Sequence, residues 1–501
     1  MKIKVSLLFI LGFMLFNAYS QKDDNHSANK VKMERAGKIL PPSPVLPVPT
    51  ERQLAWQDME QYAFVHFTTN TFTDKEWGYG DENPEVFNPA GMNTDQWAKC
   101  FKEAGFKGVM LTCKHHDGFC LWPSAYTDHS VKNSKWKNGK GDVVKEVSGS
   151  CKKYGLKFGI YLSPWDRNRA DYGSPSYVEY YRKQLKELFS NYGPVFEMWF
   201  DLANGGDGYY GGAKEKRSIK IPEYYDWVTT MNMVKEIEPN IVFFSDFGPD
   251  IRWCGNEKGY VGDPNWCMIN NDSIYNGTIG KTKNDYLNHG YPRGRQWIPA
   301  EVDVSIRPGW FYHASEDSLV KTPAQLFGIY LNSVGRGANL ILNIPPDRRG
   351  LVNENDVKSL KGWKKLIDEA FANNLALGSK VKADSYRGKS NQFAASNLVD
   401  GNKETYWATD DNLLQGSIVF DLNQPRTVKY VVLQEYIRLG QRVGKFTIEA
   451  WKDNAWNEIA VGTTIGHKRI VRLYQPVETQ RLRINIKNSR ACPVISNVEI
   501  Y

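Results

Sequence analysis

Gly108-Val109-Met110-Leu111-Thr112-Cys113-Lys114-His115-His116-Asp117-Gly118-Phe119 is an apolar, strand-like run that ends in two histidines, an aspartate and a glycine. Val195-Phe196-Glu197-Met198-Trp199-Phe200-Asp201 repeats the logic. Strands that finish in polar, chemically capable side chains, with helices between them, are how an α/β barrel builds an active site at the carboxyl ends of its strands. The two segments predict an enzyme of the α/β class.

Working outward, strand-like runs fall at 63–67, 108–113, 157–162, 195–200, 241–245, 297–302 and 338–344. Helix-like stretches fall at 94–104, 143–154, 177–192, 224–238 and 322–334. Strand and helix alternating over this length read as a (β/α)8-like barrel spanning 51–376, with one strand unplaced. The stretches 205–220 and 255–295 read as long loops over the active face. Beyond Asn374 the pattern changes to short alternating segments at 416–422, 427–435, 445–452, 456–460, 469–473 and 480–486. With no long amphipathic helix among them, 377–501 reads as an all-β sandwich.

Residues 1–20 read as a signal peptide: Lys2 and Lys4, a short apolar core, then Ala18-Tyr19-Ser20. The apolar run is short for a bilayer span. The expectation is an exported protein, periplasmic or secreted, with no membrane span. A proline-rich lead-in follows at 21–50.

The 501-residue chain is 41% apolar and 24% charged, which suits a large folded core plus a smaller module. Its 16 Trp and 27 Tyr suit sugar rings, and equally suit a large core. The net charge of +8 is dispersed along the chain, and no nucleic-acid motif accompanies it. Seven cysteines without a CxxC spacing read as buried thiols, with Cys254 and Cys267 an open candidate pair.

Asp201 ends its apolar run under Trp199 and Phe200, where a retaining glycosidase needs its nucleophile. An isolated aspartate there would read as a helix cap; the run before it favours chemistry. A second carboxylate must serve as acid and then base. Asp246, Asp250, Glu257, Glu301 and Asp303 are the candidates. Glu257 stands out on a loop flanked by glycines, with Trp253 near it to shield it and raise its pKa.

His66, His115 and His116 lack metal-ligand spacing and read as hydrogen-bonding groups for sugar hydroxyls or a carboxylate. Adjacent strand residues face opposite ways, so His115 and His116 line one pocket only if the strand stops before them. Trp77 and Trp310 sit in Gly- and Pro-rich loops, either as stacking platforms or as pins for their own loops.

Together F-V-H-F (64–67), E-W-G (76–78), K-H-H-D-G-F (114–119), M-W-F-D (198–201), P-D-I-R-W-C-G-N-E (249–257) and R-P-G-W-F-Y-H (307–313) resemble the α-L-fucosidases of glycoside hydrolase family 29. The resemblance implies a retaining mechanism with Asp201 as nucleophile. Its R-W-C-G-N-E loop is similar to that of the subgroup selective for α-1,3/1,4-linked fucose, which implies Glu257 as acid/base. It implies fucose-binding roles for His66, Glu76, Trp77, His115, His116, Trp199 and Trp310, a fucosylated glycan substrate and no catalytic cofactor. The tail, through A-S-N-L-V-D-G-N-K-E-T-Y-W (395–407), resembles coagulation-factor type C (discoidin-like) modules of carbohydrate-binding family 32. That implies a structural calcium at Asp400. The competing class is a non-catalytic sugar-binding protein, which need keep neither Asp201 nor Glu257. A broad-specificity fucosidase is the closer alternative. A barrel metallohydrolase would need a ligand-spaced His/Asp cluster, which the chain lacks.

Overall fold

Eight parallel strands close into a barrel in the computed structural model, which describes residues 39–246, 248–271 and 284–501. They are β1 Gln61–Val65, β2 Gly108–Lys114, β3 Lys157–Leu162, β4 Val195–Trp199, β5 Val242–Ser245, β6 Ile251–Trp253, β7 Ala300–Ser305 and β8 Asn339–Asn343. Closure pairs β1 with β8, Gln61 opposite Leu340, as well as with β2. The expected signal peptide at 1–20 lies outside the described residues. Among those described, no helix is long and apolar enough to cross a membrane.

The connecting helices follow local signals. Helix α1, Glu51–Gln57, opens on a capping box between Thr50 and Gln53. Helix α2, Thr94–Glu103, is capped by the Asn93 side chain. Helix α3, Val143–Tyr154, starts at Asp142 and stops at Gly155, whose φ of 65° few other residues tolerate. Helices α4 (Pro175–Asn191), α5 (Trp227–Ile237), α6 (Asn284–His289), α7 (Pro323–Asn332) and α8 (Glu354–Ala370) follow, with two shorter helices at Thr69–Thr73 and Ile221–Tyr224.

Parity sorts the barrel side chains into two cores. Ala63, Val65, Val109, Leu111, Ile160, Leu162, Phe243, Val302, Leu340 and Leu342 face outward into the helix-facing core. Tyr62, Phe64, Met110, Tyr161, Trp199, Val242, Phe244, Ile251 and Ile341 fill the interior.

Two strands differ from expectation. β6, the strand not placed from sequence, is three residues long and follows β5 with no helix between them. β7 starts at Ala300 and not at 297, because Pro299 has no N–H to give a ladder. Gln296–Trp297 instead pairs antiparallel with Met268–Ile269. The stretch 205–220 forms a small hairpin on the active side, with Tyr209 N–H donating to the Tyr79 carbonyl. The described part of 255–295 turns partly away from the pocket: Asn265 N–H donates to Thr464, and Cys267 N–H to Gln441.

The cysteines are all free and buried, so Cys254 and Cys267 do not pair. They belong to separate apolar clusters, Cys254 with the helix-facing core and Cys267 with Leu54, Trp266 and Trp297.

The C-terminal region is an antiparallel β sandwich. Two of its strands are long, Gly416–Glu435 and Arg469–Ser489. The sequence reads each as two strands, because pairing is interrupted between Asp421 and Arg426. The sandwich and the lead-in meet where Val45 N–H donates to the Leu439 carbonyl. Gly440 permits that approach: its φ is 88°, and a Cβ there would lie 2.1 Å from the Val45 carbonyl oxygen.

Candidate active site

β2 ends at Lys114, so neither His115 nor His116 is held to strand alternation. Their ring centroids lie 4.2 Å apart. His66, from the end of β1, is 5.4 Å from His115, and its ring is 5.2 Å from that of Trp310. Trp77 meets the His116 ring edge-on at 5.2 Å, and half of its surface is exposed. Gly78, next to Trp77, lets the loop lie close on the histidine turn: a Cβ there would come within 2.8 Å of the Asp117 Cβ.

Asp201 follows Trp199 at the tip of β4. Tyr161 Oη donates to its Oδ2 at 2.9 Å, and the Ala203 N–H donates to its Oδ1 at 2.7 Å. Burial pushes its carboxyl up to about 6; these two donors oppose the rise and the Glu257 charge adds to it.

Burial pushes the three imidazoles the other way. His66 and His116 fall to about 3 and His115 falls well below its ordinary value. All three are neutral near pH 7, and the hydrogen bonds fix two tautomers. Asn343 Nδ2 donates to Ser305 Oγ and to the Trp310 carbonyl, so Asn343 Oδ1 must accept from His66 Nδ1 at 2.8 Å. Ser163 donates to the Trp165 carbonyl, so His116 Nδ1 donates to Ser163 Oγ at 2.7 Å. The Nε2 atoms of both rings are therefore acceptors. His116 Nε2 stands 3.7 Å from Asp201 Oδ2, two acceptors with no shared proton. A hydroxyl donated by a ligand satisfies such an arrangement.

Trp199 lies flat on Phe244, centroids 4.0 Å apart at 9°, and next to Tyr161 at 5.4 Å. Its Nε1–H donates to Glu301 Oε1 at 2.8 Å. Glu76 holds the opposite wall: its carboxylate accepts the N–H groups of Trp310 at 2.8 Å and Phe311 at 3.1 Å, and pairs with His313 Nε2 at 2.7 Å. Trp310 thus closes the pocket through a clamp, and its Nε1–H reaches Glu257 at 3.4 Å.

Glu257 stands on the open rim of the loop after β6. Burial raises its carboxyl, the Trp310 N–H opposes this, and the Glu76 charge adds to it. The expected shield, Trp253, points elsewhere and donates to Asp303 at 2.9 Å.

The other candidate carboxylates separate by position. Asp250 is paired with Arg52. Asp303 is buried beneath Trp253. Glu301 has no exposed surface and lies inside the barrel, out of reach of a glycosidic oxygen. Asp246 does belong to the site: burial, then the charges of Asp201 and Glu257, push it up to about 7.

Sequence reasoning did not single out Tyr161, Ser163, Asn343 or Phe311. Tyr161 was findable, since it lies inside a predicted strand one residue before its apolar end.

Asp400 lies outside the barrel, in the sandwich. Its Oδ1 accepts from the Asn402 N–H and its Oδ2 from the Thr405 hydroxyl. Both oxygens thus have donors, and among the described residues no group of three or more His, Cys, Asp or Glu could hold a metal.

A fixed strand-tip carboxylate, a second carboxyl on the rim whose charge it feels, and a lining of indoles and neutral imidazoles define a glycoside hydrolase. Residues 46–368 match the alpha-L-fucosidase family model, and residues 380–499 the F5/8 type C domain. The chain is 40% identical over 495 residues to alpha-L-fucosidase 1 of Arabidopsis thaliana, covering 98% of this chain and 93% of that one. A glycoside hydrolase 29 family member from an unknown rumen bacterium superposes with TM-score 0.81 at 43% identity, covering 92% of this chain and 78% of that one. A Ruminococcus gnavus GH29 fucosidase in complex with fucose gives TM-score 0.83 at 31% identity, over 93% and 97% of the two chains. The chain belongs to the α-L-fucosidases of glycoside hydrolase family 29 and carries a C-terminal F5/8 type C domain.

The Glu76 clamp is testable. Glu76→Gln places an amide donor against one of the loop's own donors. The expected result is a KM for aryl fucoside raised about fivefold or more, through a displaced Trp310, with little change in Tm. An unchanged KM would show that the loop holds itself.

Proposed function

We propose that this α-L-fucosidase is a retaining, exo-acting enzyme for terminal α-1,3/1,4-linked fucose on glycans. The observation that carries the reading is Asp201, fixed at the β4 tip by Tyr161 and Ala203 and electrostatically coupled to Glu257. In the first step Asp201 Oδ attacks the anomeric carbon while the protonated Glu257 gives its proton to the departing glycosidic oxygen. A fucosyl ester forms and the glycosidic bond breaks. In the second step the ionised Glu257 takes a proton from water, whose oxygen attacks the anomeric carbon and releases Asp201. Two inversions give retention. His66 and His116 accept fucose hydroxyls through Nε2, while Trp77, Trp199 and Trp310 present apolar faces to the ring. His115 and Glu76 complete the fucose-binding set.

Asp201→Asn is expected to lower kcat on the order of 10⁴-fold with the fold intact. Asp201→Gly with added azide should yield a fucosyl azide of inverted configuration. Near-normal turnover by Asp201→Asn would overturn the assignment.

The linkage reading rests on the R-W-C-G-N-E loop that ends in Glu257. Branched α-1,3/1,4-fucosylated trisaccharides are expected to be cleaved far better than α-1,2-linked fucose or an aryl fucoside, since the branching sugar adds contacts that act on the reacting bond. Glu257→Ala should slow these glycans more than aryl fucosides, whose leaving groups need little protonation. Equal wild-type rates across the panel would make the enzyme a broad-specificity fucosidase.

Two further expectations belong to this reading: export, periplasmic or secreted, and a structural calcium held by Asp400 and nearby carbonyl oxygens. An exported protein whose N-terminus is Gln21 would support the first, and a Tm lowered by chelator the second. A retained leader or an unmoved Tm would count against them.

A further inference from the structure

Below the pocket the barrel interior holds two acidic side chains that the proposed reaction does not use. Glu197 on β4 and Glu301 on β7 have no exposed surface. Trp56 Nε1–H is shared between Glu197 Oε2 at 2.9 Å and the Tyr62 oxygen at 3.0 Å, Trp199 Nε1–H donates to Glu301 Oε1 at 2.8 Å, and Glu197 Oε1 has no partner. The Tyr62 hydroxyl lies between the acids, 2.8 Å from Glu197 Oε2 and in shorter contact with Glu301 Oε2. Among the described residues no lysine, arginine or histidine forms an ion pair with either acid.

Hydrogen counting decides the protonation. Tyr62 owns one hydroxyl hydrogen but touches a carboxyl oxygen on each side. If both acids were ionised, one contact would set acceptor against acceptor, and two anions would share a dry core. One proton on the pair removes both faults. Burial raises both carboxyls, and the charge of Glu197 adds to the rise at Glu301, so the pair keeps that proton near pH 7.

We propose that Glu301 is a positioning residue in an acid pair that holds one proton: that proton and the Tyr62 hydroxyl hydrogen bridge Glu301 Oε2, Tyr62 and Glu197 Oε2, while Glu301 Oε1 accepts from Trp199. Stacking on Phe244 fixes the plane of the Trp199 indole, but a half-turn about its Cβ–Cγ bond would keep that plane and carry Nε1 to the other side. The bond to Glu301 removes that freedom. Trp199 packs against Tyr161, which donates to Asp201, so the same chain of contacts sets the direction of the proposed nucleophile. The importance of Trp199 rests on the pocket reading given above; the proton held by the Glu197–Glu301 pair does not.

The test uses the full-length enzyme and three variants. A glutamine at 301 donates to Tyr62 and accepts from Trp199, so Glu301→Gln is expected to hold kcat and KM near wild type. Glu301→Leu leaves the indole unanchored and is expected to lower kcat/KM about tenfold or more. In a Trp199→Phe background, which has no indole N–H, the further cost of Glu301→Leu should shrink to about twofold or less. The infrared difference between wild type and Glu301→Gln should show a protonated-carboxyl band present only in wild type, whether or not the protein turns over fucosides. A glutamine variant as poor as the leucine one would overturn the proposal. So would an undiminished leucine cost in the Trp199→Phe background, or a missing carboxyl band. The glutamine variant and the spectrum decide the matter even where the leucine variant does not fold. A wild type inactive on every fucoside would sink the functional reading while leaving the band to be measured.

Discussion

A parallel strand closed into a barrel sends every second side chain inward, and the site is assembled by that alternation. Tyr62, Phe64 and His66 climb one strand; Glu197, Trp199 and Asp201 climb another; Val242, Phe244 and Asp246 a third. The lowest level contains acids and a tyrosine, the middle level is aromatic, and the top level is polar. The lowest level is dry through burial: Tyr62, Glu197 and Glu301 have no exposed surface. The aromatic level therefore separates two polar levels, and both keep their charges only as far as their own hydrogen bonds allow.

That dryness sets the chemistry. Imidazoles that would be half-charged in water are neutral here, and their free nitrogens become acceptors. The carboxyls move the other way. Asp201, Asp246 and Glu257 all hold protons more tightly than free acids do: burial raises each, and the charge of Glu257 adds at Asp201, those of Asp201 and Glu257 at Asp246, and that of Glu76 at Glu257. An acid that must give a proton and then take one back is served by such a shift. Asp201 is kept usable as an anion by the donors at its two oxygens, which oppose the rise.

Much of this was legible in the chain. The runs into His115 and Asp201 revealed two strand tips because a parallel strand buried on both faces is apolar until it ends. The helices were legible because caps and periodicity are local. β6 was not legible, since three residues give no period and Pro249 precedes them. The start of β7 was misread because the apolar run at 297–298 continues across Pro299. The glycine-flanked loop favours Glu257 as the acid, but sequence alone leaves Glu301 a candidate, since the run at 297–302 puts it near a strand end. Only the parity of β7 places Glu301 inside the barrel, and parity needs the register. The neutral tautomers of His66 and His116 depend on Asn343 and Ser163, contacts that no local pattern encodes.

The sandwich bears on the same geometry. β6 is the shortest barrel strand, no helix joins it to β5, and it leads within four residues to Glu257. What backs it from outside is Arg252, fully buried and donating to the carbonyls of Leu287 at 2.8 Å, Trp266 at 3.0 Å and Ile298. The loop that supplies Trp266 is held in turn by the sandwich. Gln441 bonds the Asn265 carbonyl and the Cys267 N–H, Thr464 accepts the Asn265 N–H, and Arg469 pairs with Asp263 at 2.7 Å. A βα unit normally supports each strand with its own helix. Here the short helix α6 backs β6 through Leu287, and the sandwich holds the loop that supplies the second carbonyl, Trp266. The F5/8 type C region thus bears, through that loop, on the strand that leads to Glu257.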